Sequence, residues 1–281
     1  MEHRKPPFLF DGKVEVQSTA RTEIQIARQT ISNEVRRPIR IPCSGDPGKG
    51  FSAALTDIED VLLNAAIPIA EIIGSGGGEA KGTQRLRRAL NDLGWRKENF
   101  EIKKIINGVE KESISHEVDH VKAFAGDFKG NKSVALEIEW NNKDPFFDRD
   151  LENFKRLHAE GAISVGIIVT RGASLQEQMW NFVYRFATEQ RIASLEDVAR
   201  VGLSPTKRQQ EEIRRRVERE RKPVEFATAW TDSFVSDKFG EATTHWRKLM
   251  DRISRGVGNP CPLLLIGLPA SIVTFDTGAE S

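Results

Sequence analysis

Two carboxylates stand two positions apart in Val134-Ala-Leu-Glu-Ile-Glu-Trp140. Side chains alternate between faces in a β-strand, so Glu137 and Glu139 project from one side while Leu136 and Ile138 turn to the other. Like charges held side by side on an otherwise apolar strand disfavour each other's ionisation. A cation removes that conflict, and oxygen ligands of this kind suit Mg²⁺. A metal ion held there activates water for hydrolysis. The plainer reading of the same residues is a hairpin with charged side chains on its solvent face.

A second acid is needed nearby. Glu117 and Asp119 repeat the two-residue spacing among Ile114, Val118 and Val121, and Lys129-Gly130-Asn131-Lys132 can turn the chain back. Both Asp119 and Asp127 share the strand parity of Glu137. An ideal turn near Gly130 leaves each about four residues, roughly 13 Å, from the position opposite Glu137. A wider loop, from about Ala125 to Asn131, favours Asp119; a tight turn near Lys132 favours Asp127. Asp119 is the preferred first ligand because it lies inside the apolar alternation, with Asp127 the alternative. Asn141, Asn142 and Lys143 follow the acid pair directly. Asn can bond bidentately to adenine and Lys can reach guanine, while the same residues also suit a turn that opens a helix. Arg171 is a further candidate for DNA contact. His116, His120, His158 and His245 match no zinc spacing and accompany no nucleophile turn, so packing roles are expected for them.

The elements that must position these groups are readable from periodicity. Thr83 to Leu93 predicts an amphipathic helix stopped by Gly94, with Leu86, Leu90 and Leu93 on one stripe. Short alternating segments at Phe100–Ile102, Ile114–Phe124 and Val134–Trp140 predict strands. A helix from about Phe147 to Glu160 precedes Ile163–Thr170, apolar almost throughout and therefore a buried strand. Leu175–Glu189 predicts another helix and Pro262–Leu268 another buried strand. The order indicates an α/β core with a sheet flanked by helices on both faces.

Composition narrows the class. A chain of 281 residues with 38% hydrophobic and 30% charged residues is long enough for a sizeable core and holds no apolar run of membrane-spanning length. No secretory pattern is visible in MEHRKPPFLFDGK, and Cys43 and Cys261 alone make no disulfide framework, so a cytoplasmic enzyme is expected. Net charge is only +1, and the distribution matters more. Lys207 to Lys222 is rich in Arg and reads either as a solvated helix or as a face that docks a polyanion. Trp230, Phe234, Phe239 and Trp246 suit either a core or a DNA-gripping or dimer surface.

The segments EVDHVK, ALEIEWNNKDPFFDRDL and SVGIIVTRG resemble the BglII/BstYI group of type II restriction endonucleases, within the PD-(D/E)XK nuclease superfamily. The resemblance implies a PD-(D/E)XK restriction-endonuclease-like core with a mixed central sheet. It implies a catalytic set of Asp119, Glu137 and Glu139, of which Asp119 and Glu137 hold Mg²⁺. Glu139 falls where most of the superfamily carries Lys. Asn142 falls at the DNA-recognition end of the strand, and Thr170-Arg171-Gly172 at the end of the next. Two departures stand out: the gap from Asp119 to Glu137 is longer than in BglII, and Glu-x-Glu is similar to BamHI. The expected activity is Mg²⁺-dependent cleavage of double-stranded DNA at a short palindrome by a homodimer, with a cognate methyltransferase in the same system. The competing expectations are a defence or repair nuclease without strict site specificity, and a DNA-binding module with a degenerate core. The expected organisation is an arm and linker over 1–50, a nuclease core over 51–200, and a C-terminal helical region over 201–281 whose final strand packs on the core.

Overall fold

The structure, a computed structural model, describes residues 48–74, 79–124 and 133–275. Almost all of the expected N-terminal arm, and Asp127, lie outside the described residues.

Helix α1 (Gly48–Leu63) buries Ala54, Ile58, Val61 and Leu62. Where Pro68 interrupts the helical pattern the chain makes a short strand, β1 (Ile67–Pro68), and then α2 (Ile69–Gly74). Helix α3 (Lys81–Asp92) rests on Gly82, Leu86 and Leu90 and ends before Gly94, whose φ of 91° lies in the left-handed region. Strands β2 (Arg96–Ile106) and β3 (Val109–Ala123) form one long hairpin, well beyond the short segments expected. Its turn is Asn107-Gly108, with φ of 51° and 77°, the two-residue type whose twist matches that of the strands.

The remaining core follows in order. Strand β4 (Ser133–Glu139) is followed by α4 (Phe146–Ala159), β5 (Val165–Arg171) and α5 (Ala173–Glu189). Helices α6 (Leu195–Arg200), α7 (Lys207–Val217), α8 (Phe226–Phe239) and α9 (Trp246–Ser254) lead to β6 (Leu263–Leu268) and β7 (Val273–Thr274). The main sheet has the order β2-β3-β4-β5-β6; its first two pairings are antiparallel and the last two parallel. The region after residue 200 thus supplies a strand of this sheet, and β7 pairs with β1 in a separate small one.

Alternation along β4 and β5 divides the core into two layers. Val134, Leu136, Ile138, Ile167 and Val169 face α1, α2, α3, α5 and α8. Ala135 and Ile168 face α4, whose Phe147, Leu151, Phe154 and Leu157 are fully buried. Each such side chain stabilises the fold by about 1.5–3 kcal/mol relative to exposure. Helix α4 sits close on the sheet because position 166 is glycine: a Cβ there would run into the Phe154 ring. This close seat sets how deep the first turns of α4 lie. Trp230, Phe234 and Phe239 of α8 belong to the core. No helix among the described residues is long and apolar enough to cross a membrane.

Candidate active site

The sheet forks at the acids. Strands β3 and β4 pair from Ala123↔Ser133 up to His120↔Leu136; one step further along that register, Asp119 stands opposite Glu137. Beyond this point β3 leaves β4 and continues in the β2–β3 hairpin. The Asp119 N–H donates to Glu137 Oε1 at 3.3 Å. Opposite the same place β2 is one residue short: Arg96 pairs with Val121 but Glu98 with Val118, so Asp119 and His120 bulge against Lys97. A bulge adds local twist and re-aims side chains. Here it breaks the alternation that a plain strand predicts for the histidines. His116 follows Val118, which packs in the α4 layer, whereas His120 stands opposite Leu136 of the other layer. Both are buried, and His120 Nδ1 lies 3.2 Å from the Leu136 carbonyl oxygen. His158 Nδ1 lies 3.1 Å from Ile163 O, and His245 is buried.

Three carboxyl groups meet behind the fork. Glu137 is 5% exposed and Glu139 2%, both on the α4 side of β4, and Asp150 of α4 is 1% exposed. A fourth acid, Asp119 at the fork, is accessible, its side chain 54% exposed, with Lys97 Nζ 3.8 Å away and also 2.6 Å from Glu117. Burial raises Glu137 well above the ordinary carboxylate range, reinforced by the charges of Asp150 and Asp119. Burial and the neighbouring Asp150 push Glu139 up to about 9. Asp150 is raised as well, chiefly by burial. The compensation is partial. Asn142 Nδ2 donates to Glu139 Oε2 at 2.7 Å, and Arg149 lies 2.8 Å from Asp150 Oδ1 and 3.6 Å from Glu139 Oε1. Among the described residues no donor reaches the buried Oδ2 of Asp150.

Asp150 is absent from the expected set, yet it left a signal. Phe147, Leu151, Phe154 and Leu157 make the buried stripe of α4, and Asp150 stands within that stripe, three residues after Phe147. An acid on an apolar helix face is costly unless something else uses it.

Oxygen donors alone, mutually repelling and incompletely hydrogen-bonded, fit a hard divalent cation. Among the described residues no group of three or more His, Cys, Asp or Glu side chains is placed to hold a metal ion. Mg²⁺ does not require one, since it keeps waters and takes one or two carboxylates together with phosphate oxygens.

The fork opens into a cleft of about 950 Å³, bordered by Asp119 on one side and by Ile138, Trp140, Asn141 and Asn142 on the other. The backbone after β4 is held by the chain before α9: Asn142 N donates to Thr244 Oγ1, Thr244 N donates to Asn142 O, and Lys143 bridges Thr243. Arg171, a candidate for DNA contact from sequence, secures this junction in the structure. It is 0% exposed, with Nε donating to Trp140 O at 2.9 Å and its terminal nitrogens to Gln176, Thr243 and Thr244. These partners tie the guanidinium to the backbone just before Asn141 and to the Thr243-Thr244 segment that holds Asn142. Lys143 and Asn142 are exposed, and Asn141 is half-buried.

The family model for restriction endonuclease BglII/BglIII matches residues 48–268. The chain belongs to this family. The match takes in the whole sheet, from α1 to the end of β6, so the mixed five-stranded sheet with helices on both faces is the restriction-endonuclease-like fold of the BglII family. Membership makes the chain a nuclease whose partner is double-stranded DNA. No curated protein matches the chain.

Proposed function

We propose that this BglII-family enzyme hydrolyses phosphodiester bonds at a short palindromic site in double-stranded DNA with Mg²⁺, acting as a homodimer. The observation that carries the reading is the fork itself: exposed Asp119 faces Glu137 where β3 and β4 part, at the edge of a cleft. Asp119 and Glu137 would hold the ion. Bound Mg²⁺ supplies a polarised phosphate and a water of lowered pKa.

The remaining work belongs to the chain. Glu139, raised to about 9 without metal, sits next to these ligands as a group able to hold or accept a proton. The Asn142 amide bonded to Glu139 ties the acid pair to the segment proposed to read bases, Asn141 to Lys143. Binding of the correct sequence is thereby linked mechanically to the position of a catalytic carboxylate. A two-fold dimer matches a palindrome, and a cytoplasmic methyltransferase protecting the host site is the expected companion.

Incubation of the full chain with long duplex DNA and Mg²⁺ tests this reading. Discrete bands are expected; a smear would indicate a nuclease without site specificity, and intact DNA would refute cleavage. Loss of cleavage in Asp119→Ala supports Asp119 as first ligand, whereas loss in Asp127→Ala alone reverses that choice.

A further inference from the structure

The wall of the fork cleft opposite Asn141 and Asn142 has no part in the chemistry described so far. It is made by α3, on which Gly82, Leu86 and Leu90 face the core. Thr83, Arg87 and Asn91, at i, i+4 and i+8, form a second line on the same helix, and all three border the cleft together with Arg96 and Lys97 of β2. At 1.5 Å per residue that line runs about 12 Å. This length covers roughly three phosphates of one DNA strand, spaced 3.4 Å along the axis. Lys81, Arg85, Arg87 and Arg88 face a single acid, Asp92, within the helix, in a chain whose net charge is only +1. Of these, Arg87 borders the same cleft as Asp119, with Arg96 and Lys97 of β2 beside it.

The state of Arg87 shows what it is suited to hold. Its guanidinium is paired with Glu79 at 3.0 Å, both side chains substantially exposed and both bordering the cleft. A planar fork that engages a surface carboxylate engages a phosphate in the same way. Exposed pairs of this kind contribute little to stability, so exchange of Glu79 for a backbone phosphate costs little. The other arginine-rich helix, α7, offers no such setting. It packs through Ile213, commits Arg216 to Asp232 and Arg208 to Asp237, and contributes no residue to the fork cleft.

We propose that α3 is the phosphate-gripping wall of the DNA groove, with Arg87 and Lys97 contacting the backbone of the strand whose bases face Asn141 and Asn142. The proposal rests on the nuclease reading of Asp119 and Glu137, because Asp119 borders the cleft that the wall completes. The contacts are to phosphates, so they set affinity and register and carry no sequence preference.

The test is fluorescence anisotropy of the full chain with a labelled duplex of about 30 base pairs, with Ca²⁺ in place of Mg²⁺, over a series of salt concentrations. Arg87→Gln and Lys97→Ala are each expected to weaken binding by roughly tenfold, equally on cleavable and unrelated sequences, and to reduce the salt slope by about one. Arg87→Lys recovers part of the loss. Arg215→Ala on α7, exposed and outside the cleft, is the control and is expected to bind like wild type. An unchanged affinity and slope in Arg87→Gln and Lys97→Ala overturns the proposal, as does an equal loss in Arg215→Ala. Both substituted side chains are exposed, so thermal midpoints should match wild type, which separates lost contact from lost fold. Wild-type protein that fails to cut DNA with Mg²⁺ refutes the nuclease reading by itself, independently of these binding curves.

Discussion

Glu139 and Arg171 are buried ionisable side chains at the ends of adjacent strands, for Thr170, the neighbour of Arg171, pairs with Glu139. Their surroundings differ in kind. Arg171 is given nearly everything a guanidinium needs: carbonyls of Trp140 and Thr244, Oε1 of Gln176, Oγ1 of Thr243 and the Phe239 ring 5.1 Å away. Glu139 is placed beside two more acids, one of which keeps an oxygen with no donor among the described residues. A buried ionisable group that is well hydrogen-bonded is compensated within the fold, whereas one placed against like charges is not. From sequence Glu139 is a catalytic candidate and Arg171 a further candidate for DNA contact; the two side chains are buried in surroundings of opposite character.

The comparison can be broken most sharply at the acids. Glu137→Ala is expected to lower the single-turnover cleavage rate by on the order of 10³-fold or more, since on the proposed reading Glu137 would be one of the two carboxylates that hold the ion. The metal-free variant should be as stable as wild type in urea, because a group in conflict has been removed. Retained cleavage would exclude Glu137 from the site.

Arg171→Ala should show the opposite pattern. Loss of a buried, saturated guanidinium strands several acceptors, and about 3–5 kcal/mol of unfolding free energy should disappear in a urea titration. Arg171→Lys should recover little, because a single ammonium cannot reach partners arranged for a fork. A variant that melts like wild type but fails to bind DNA would mean that Arg171 contacts DNA after all.

Asp150→Asn should be milder. Cleavage should drop about 10–100-fold, the range for a residue that supports metal ligands. The Asp150 charge helps to raise Glu139, so the acidic limb of the pH–rate profile should also move to lower pH. A rate loss with an unmoved profile would assign Asp150 a purely structural role.

The smallest effect concerns pH. Carboxyl groups raised above their ordinary range keep protons in the folded chain that the unfolded chain has released, so metal-free stability is greatest below the ordinary carboxylate range. It falls as pH rises through that range toward about 9, the value for Glu139. The metal-free thermal midpoint should decline by a few degrees between pH 6 and 8.5, at about 2–4 °C per kcal/mol for a domain of this size. Glu139→Gln should flatten that decline. A midpoint that rises with pH would contradict the buried acid cluster.

Much of the framework was legible because it depends on local order. The apolar run of β5, the alternation of β4 and the stripes of α3 and α4 are periodic, and periodicity survives in one dimension. The β2–β3 hairpin was legible too, since Asn107-Gly108 between alternating residues is a strong turn signal, but the short reading around Phe100 passed over it. Asp150 was likewise visible as an acid within the apolar stripe of α4.

By itself, the sequence determined the elements, the shared face of Glu137 and Glu139, and the helix stripe that carries Asp150, because all of these follow from the 2.0 and 3.6 residue periods of the backbone. The tertiary structure places Asp119 beside Glu137, because register across a loop depends on how the strands close and a single bulge opposite Lys97 changes which side chains share a face. It also decided that Arg171 is enclosed and that α3 walls the cleft. Burial and convergence arise from segments as far apart as Arg171 and Thr244, and no local pattern records their meeting.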